Sequence, residues 1–383
     1  MNYDLSDDQI AIRDAVRELC TREFAPHVAR WDHEAHVPQE AVAKLAEQGF
    51  LGMAIPEAWG GLGYDARTTV LVIEEIARVS ASLAVMVMVH NSVGAYPIYR
   101  FGTEEQKQRY LPRLTTRELG AFSLSEPGAG SDAAALEATA VRQGEHYLLN
   151  GTKNWVTSGQ RAGTILIFAR TDKAAGKKGV SAFIVEPGTP GLTIGKSEDK
   201  MGLRGSDTVT LSLEDMKLPV TQRLGEEGDG FRIAMSMLDA GRISVGAQAL
   251  GVMTAAFEEA VRYVQQRQAF GGALAKIQAV QFKLAEMERR IQAARLLVRR
   301  AAWLRDAGRP YSREASMAKL YSTEAATWVT HQAIQVHGGY GYVKDYAVER
   351  YYRDVRVMEI YEGASEIQRL VIARSLLKDG VAV

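Results

Sequence analysis

The hydrophobic rhythm of the chain changes twice. From residue 1 to about 118 the apolar positions recur at helical spacing. Ser6 is of a type that caps helix starts, and Ile10, Ala11, Val16 and Leu19 follow it. A second helix is predicted over about Gln39–Gln48, stopping at Gly49. Two more cover about Ala66–Val79 and Leu83–Phe101, and Thr103-Glu104-Glu105-Gln106 begins another. From about 119 to 230 the segments are short, alternating or apolar, and broken by Gly, Pro and Asn. Tyr147-Leu148-Leu149 runs into Asn150-Gly151, a strong hairpin-turn signal. Further strands are predicted in Thr164–Ala169, Val180–Val185, Leu192–Gly195 and Thr208–Leu213. From Gly230 the helical period returns in long segments, about 231–267, 276–307, 312–336 and 363–377, with Gly308-Arg309-Pro310 as a break. The expected plan is three domains: helices in 1–118, antiparallel β-structure in 119–230, and a bundle of long helices in 231–383.

Composition narrows the function. The formal net charge is zero and 24% of residues are charged, with mixed signs and no long basic run, which disfavours a nucleic-acid partner. Hydrophobic residues at 46% allow a large core, yet the longest apolar run, Leu83–Val89, is far short of a membrane span. A single cysteine, Cys20, excludes an internal disulfide and any multi-cysteine metal site, and it falls on an apolar helical face. No metal is expected. Met1–Ser6 lacks a signal-peptide pattern, so the expectation is a soluble cytoplasmic protein without membrane insertion.

Five constellations carry possible chemistry. Ile360-Tyr361-Glu362-Gly363-Ala364-Ser365-Glu366-Ile367-Gln368-Arg369 sets a carboxylate between apolar residues and a glycine. Burial there raises its pKa towards neutrality and suits it to a weakly acidic proton, although a glutamate at a helix start also serves as a dipole partner. Ser123–Asp132 crowds hydroxyls, two glycines and an aspartate into one loop, which either turns N–H and O–H groups towards a ligand or is a plain surface turn. Asn150–Gly159 carries Trp155 and Thr157, a stacking face and a hydroxyl for a flat heterocycle, or an ordinary strand tryptophan. Arg267-Gln268-Ala269-Phe270-Gly271-Gly272, with Gln278 beyond, offers an arginine for a pyrophosphate or a helix-terminal arginine near a turn. Gln335-Val336-His337-Gly338-Gly339-Tyr340-Gly341-Tyr342, followed by Asp345, Arg350 and Asp354, is glycine-rich without a preceding strand, so it is no Rossmann fingerprint. His337 by itself reads as a structural histidine.

In this order and over essentially the whole chain, the five segments resemble the acyl-CoA dehydrogenases. The resemblance implies an α+β multidomain fold: an N-terminal helical domain, a central antiparallel β-barrel and a C-terminal four-helix bundle. It implies FAD as cofactor, and a homotetramer built as a dimer of dimers. Phe122, Leu124, Ser125 and Ser131 would line the flavin, Trp155 would pack on it, and Thr157 would bond the nitrogen that receives hydride. Arg267 and Phe270, with Gln278, Gln335 and Gly339, would reach the pyrophosphate and adenylate of a partner subunit's FAD. Gly363, Ala364 and Glu366 would hold the ribityl-adenosine side. Many relatives carry Thr where this chain has Ala364, so only backbone contacts are expected at that position.

The reaction implied is α,β-dehydrogenation of an acyl-CoA thioester. Glu362 would take the α-proton, and Ser131, Asp239, Arg242, Tyr361 and Gly363 would meet the substrate. Some relatives place the base just before an arginine on another helix; here that residue is Gly241, in Leu238-Asp239-Ala240-Gly241-Arg242, which points to the short-, medium- or branched-chain types. Leu83–Val89, the expected floor of the tail pocket, has no Lys or Arg to pair a carboxylated tail. The pathways implied are fatty-acid β-oxidation and branched-chain amino-acid degradation, with electrons passing to an electron-transfer flavoprotein. The competing readings are an oxidase or other flavin enzyme on the same fold, and a non-catalytic flavin-binding protein or helical scaffold.

Overall fold

A computed structural model describes residues 4–379. Seven helices open the chain: α1 (Asp7–Glu23), α2 (Val28–His33), α3 (Gln39–Glu47), α4 (Ala66–Val79), α5 (Ala81–Val89), α6 (Tyr96–Phe101) and α7 (Glu104–Leu114). Two of their starts are written locally. Ser6 with Gln9, and Thr103 with Gln106, form reciprocal capping boxes that satisfy otherwise orphaned N–H groups. The predicted helix Leu83–Phe101 is a continuous helical run over Ala81–Phe101, widened by a π-turn at His90–Ala95. That turn is bolted to its neighbours. Asn91 Nδ2 donates to the carbonyls of Phe50 (2.8 Å) and Val87 (2.9 Å), and the Gly120 N–H donates to His90 Nδ1 (2.7 Å). By length and composition this run would suffice to cross a membrane, but 94% of its most apolar window is buried inside the protein. Cys20 is likewise core, its thiol pushed up to about 12 by burial.

Strands β1 (Leu119–Ser123), β2 (Thr139–Gln143), β3 (His146–Thr157), β4 (Ala162–Arg170), β5 (Val180–Val185), β6 (Leu192–Ile194), β7 (Thr208–Pro219) and β8 (Arg223–Leu224) form one sheet. Its path is β6-β7-β3-β2-β4-β5-β8, with β1 beside β4. The sheet is open and mixed, where a closed antiparallel barrel was expected. β1 runs parallel to β4, β2 touches β4 in parallel at Thr139↔Arg170, and the path ends on the short strands β6 and β8. Alternation along a strand is the same in a barrel and in a curled open sheet, so the pattern carried no closure signal. The central strands are buried on both faces. Leu166 and Phe168 of β4 pack with Tyr110, Leu111 and Leu114 of α7, while Ile165 and Ile167 face Leu149, Val209 and Leu211 within the sheet.

Asn150-Gly151 does not turn the chain. β3 runs through it, with Asn150 opposite Thr139, and the register slips between Leu149 and Gly151. The hairpin turns at Gly144 (φ +59°) instead. Gly151 (φ +144°) makes a bulge, and its missing Cβ would sit 2.6 Å from the Cβ of Ala138. Asn150 spends its amide on Asp215, both as donor (3.0 Å) and as acceptor (2.8 Å).

The remainder is α8 (Gly230–Gln266), the hairpin β9 (Gln268–Ala269) and β10 (Gly272–Ala273), α9 (Gln278–Asp306), α10 (Ser312–His337), α11 (Val348–Arg356) and α12 (Ser365–Asp379). At 37 residues α8 spans roughly 55 Å and packs against α4, α9 and α10. Its middle, Ala240 to Ala256, is largely buried, and the small residues Gly241, Ser244, Gly246, Ala247, Ala249 and Gly251 within it let these neighbours approach closely.

Candidate functional site

After α11 a 3₁₀ turn at Val357–Glu359 leads into Ile360 and Tyr361, whose N–H groups both donate to Val357 O (2.8 and 3.0 Å). The backbone then turns left-handed at two successive residues, Glu362 (φ +52°) and Gly363 (φ +96°). A non-glycine residue held there stores strain of the kind found at functional sites. The turn is held from two sides. Lys319 Nζ of α10 donates to Gly363 O (2.9 Å), and Gln368 Nε2 of α12 donates to the same carbonyl (2.8 Å). The hydroxyl of Tyr361 donates to Gln248 of α8, which is itself anchored on Ala81 O (2.9 Å).

The strained turn points the Glu362 carboxylate at α8. A Cβ added to Gly241 would lie 2.0 Å from Glu362 Oε2 and 3.0 Å from its Cδ, so glycine is what leaves room for the acid. Both carboxylate oxygens are shielded from solvent, and neither has a hydrogen-bond partner among the described residues. Burial pushes the acid up to about 7, against the pull of the Lys319 and Arg242 charges. Burial also lowers Lys319, to about 8, against the pull of Glu362. Arg242 is held by Asp239 (2.5 Å) and lies 3.5 Å from Ser316 Oγ. Burial raises Asp239, with the Arg242 charge opposing. The sequence-predicted Glu362, Tyr361, Gly363, Asp239 and Arg242 therefore share one site. Lys319, Gln248 and Gln368 join them without having been singled out. A signal existed for Lys319: it falls on the small-residue stripe of α10 that includes Ala315, Ser322 and Ala326, where a charge is out of place.

A second group lies in the β-domain. The Lys153 N–H₃⁺ donates to Glu126 Oε1 (2.7 Å) and Leu124 O (3.2 Å), and the Asn154 N–H donates to Ser125 O (2.9 Å). Strand β3 is thus stapled to the Ser123–Asp132 loop. Directly after the staple β3 bulges, its register with β7 slipping between Lys153 and Val156. Trp155 sits on the bulge at φ +62° with 63% of its surface exposed. Thr157 is half-buried two positions on, while Ser131 is exposed and Ser125 half-buried on the loop. Missing Cβ atoms at Gly128 and Gly130 would meet nothing within 4 Å, so the loop is open. Ser123 Oγ beside it is buried without a partner among the described residues. Phe122 packs its ring 4.9 Å from Phe168, and Leu124 is buried. A large aromatic face on strained backbone, with hydroxyls around it, fits a flavin.

The third group is remote. Arg267 caps α8 and enters the β9–β10 hairpin, whose turn uses left-handed Phe270 (φ +52°) and Gly271 (φ +80°). Phe270 is 95% exposed. The Arg267 guanidinium lies 5.4 Å from the centre of the Tyr340 ring, which brings the hairpin to the Gln335–Tyr342 segment. Gln278, Gln335 and Gly339 are exposed there, and Ala364 and Glu366 remain with the Glu362 turn. His337 Nδ1 bonds Ala333 O (2.8 Å) and the ring stacks on Tyr263 at 4.2 Å, a structural role. Asp354 accepts from the Leu203 N–H (2.6 Å) and ties α11 to the β-domain. Arg242 and Arg267 stand 25 positions apart on α8, roughly 38 Å at helical rise. One chain therefore does not bring its Arg267 group to its own Glu362.

The chain matches the acyl-CoA dehydrogenase family along its length: the N-terminal domain over residues 6–118, the middle domain over 121–216 and the C-terminal domain over 228–377. It is 48% identical to the short-chain specific mitochondrial acyl-CoA dehydrogenase of Bos taurus, over 98% of this chain and 92% of that protein. Among solved structures, butyryl-CoA dehydrogenase from Megasphaera elsdenii superposes with a TM-score of 0.97 at 42% identity, covering 99% of this chain and 100% of that one. A chain in a structure of the electron transferring flavoprotein of Acidaminococcus fermentans also reaches 0.97, at 45% identity, covering 99% and 100%. The chain belongs to the acyl-CoA dehydrogenase family, whose cofactor is FAD.

Proposed function

We propose that this acyl-CoA dehydrogenase converts a short-chain acyl-CoA to its trans-2-enoyl-CoA, with Glu362 as the base. One observation carries the reading: a carboxylate that is buried, without a partner among the described residues, poised near neutral pH and held on strained backbone. A structural glutamate would have its oxygens satisfied. Glu362 takes the α-proton on a carboxylate oxygen as the C–H bond breaks. FAD, when bound, supplies the acceptor for the β-hydrogen, which leaves with its electron pair as the α,β double bond forms. Membership of the family implies that the Glu362 N–H serves as one donor to the thioester oxygen, lowering the cost of the developing negative charge. Ser131, Asp239, Arg242, Tyr361 and Gly363 bound the substrate side.

Phe122, Leu124, Ser125, Ser131, Trp155 and Thr157 hold the flavin end of FAD, and Gly363, Ala364 and Glu366 its ribityl side. Arg267, Phe270, Gln278, Gln335 and Gly339 act on the FAD of a second copy of the chain. The roughly 38 Å along α8 between Arg242 and Arg267 supports this division, and with it a homotetramer built from paired subunits. The short-chain preference rests on relatives named for short-chain and butyryl substrates, and the electron-transfer flavoprotein as electron acceptor on the third relative above.

The test is anaerobic bleaching of the FAD-loaded protein by butyryl, isobutyryl, 2-methylbutyryl, isovaleryl, hexanoyl, octanoyl, palmitoyl and glutaryl thioesters of CoA. Fastest bleaching by butyryl-CoA is expected. Bleaching by none of them would overturn the dehydrogenase reading, and a best substrate of eight carbons or more would overturn the chain-length part alone.

A further inference from the structure

We propose that Lys319 is a positioning residue for the catalytic base: its ammonium pins the Gly363 carbonyl, which fixes the turn that aims Glu362, and it places a buried positive charge beside the ionised carboxylate. The inference rests on the reading of Glu362 as the base.

Lys319 is fully buried on α10, and lysine is almost never so placed without a partner. Its partner is a main-chain oxygen, Gly363 O at 2.9 Å, and not the nearby acid. A lysine present only to neutralise Glu362 would bond it directly and tie up an oxygen. Here both oxygens stay free to meet a substrate proton while the charge acts across space. A residue needed only for packing would be a leucine or methionine, which costs no charge burial.

The charged groups around Glu362 are few. α8 contributes Arg242, whose guanidinium is committed to Asp239 at 2.5 Å. α10 contributes Lys319 and, further along, Glu324, which pairs with Arg369. The 3₁₀ turn contributes Glu359, which accepts from Thr327 and lies 3.5 Å from Arg356. Tyr361 beside the base is held neutral by burial, and α12 presents the Gln368 amide. Lys319 is thus the facing cation with no carboxylate bound to it among the described residues.

The sign follows. Removing the charge disfavours the ionised base, so its pKa rises and the acidic limb of the reductive half-reaction moves to higher pH. In Lys319→Met, measured as FAD-loaded protein by anaerobic stopped-flow with butyryl-CoA, the limb is expected to move up by about one pH unit. Lys319→Arg keeps the charge and should hold the limb near the wild-type position while the plateau rate falls. If Lys319→Met does not fold, Lys319→Gln removes the charge and keeps a donor for Gly363 O, and the same displacement is expected. An unmoved limb in a neutral variant that retains FAD would sink the inference, as would an equal displacement in Lys319→Arg. Absence of bleaching in the wild-type protein would strike the base reading instead, so the two failures are distinguishable.

Discussion

Two buried glutamate–lysine arrangements in this molecule use the same chemistry in opposite ways. In the β-domain Lys153 bonds Glu126 directly at 2.7 Å, and the same carboxylate accepts from the backbone N–H groups of Glu137 (2.5 Å) and Ala138 (3.1 Å). Every strong group there is occupied, which is how a buried charge pair serves as a staple. At the bundle end Lys319 bonds a carbonyl, and the Glu362 oxygens bond nothing among the described residues. Saturation makes the first pair structural. Withheld saturation suits the second to the proposed role of base, because a proton acceptor must keep a lone pair available.

Breaking the two pairs should therefore give different phenotypes. The largest effect is expected from Glu362→Gln, which preserves shape and removes the base. Flavin bleaching by butyryl-CoA should slow by about 10⁴-fold with FAD content unchanged, and near-normal bleaching would end the assignment. Lys153→Met leaves Glu126 buried without its counter-charge. It should cost about 3–5 kcal/mol in denaturant unfolding and weaken FAD retention, since the loop it holds carries Leu124 and Ser125. A loss below 1 kcal/mol would contradict the staple. Gly241→Ala puts a methyl where the Glu362 carboxylate lies, 2.0 Å from Oε2. Displacing the base by about 1 Å should lower the bleaching rate by about 10²-fold while thermal stability changes little. A rate within twofold of wild type would show that the acid does not act from this position.

The smallest effect needs no mutation. Glu362 must be ionised to accept a proton, and burial sets it at about 7. Below that value the ionised fraction falls tenfold per pH unit, so bleaching at pH 6 should run at about one tenth of the alkaline plateau. Stopped-flow from about pH 5.5 to about pH 9, which brackets that value, would reveal the limb, and a flat profile would mean that proton transfer is not what Glu362 limits.

The contrast between the two pairs was not visible in the chain. Glu362 stands out because tyrosine and glycine flank it, whereas Glu126 lies in a loop marked only by its hydroxyls, glycines and aspartate. Lys153 and Lys319 passed as ordinary polar positions. Both are fully buried, one by β3 lying against the loop and the other by α8, α12 and the Glu362 turn closing over α10. Local signals suffice where the physics is local. The capping residues Ser6 and Thr103, the break at Gly308-Arg309-Pro310 and the long periodic helices all lie where the residues placed them. Asn150-Gly151 shows the limit. Its turn preference is real, yet pairing with β2 and β7 on both sides of β3 outweighs it and converts the site to a bulge.

By itself, then, the sequence determined the order of helical and β segments, the family, and the place of Glu362 between tyrosine and glycine, because periodicity, capping and motif spacing are properties of neighbouring residues. Only the tertiary structure decided that the sheet stays open with a parallel strand beside β4, that Gly241 makes room for the acid, and that Lys319 holds the turn without bonding the Glu362 carboxylate. It also decided that the Arg267 group stands the length of a helix away from its own active site. Each of these depends on surfaces that meet across more than 40 positions of chain or on the rigid length of α8, and no local pattern encodes either.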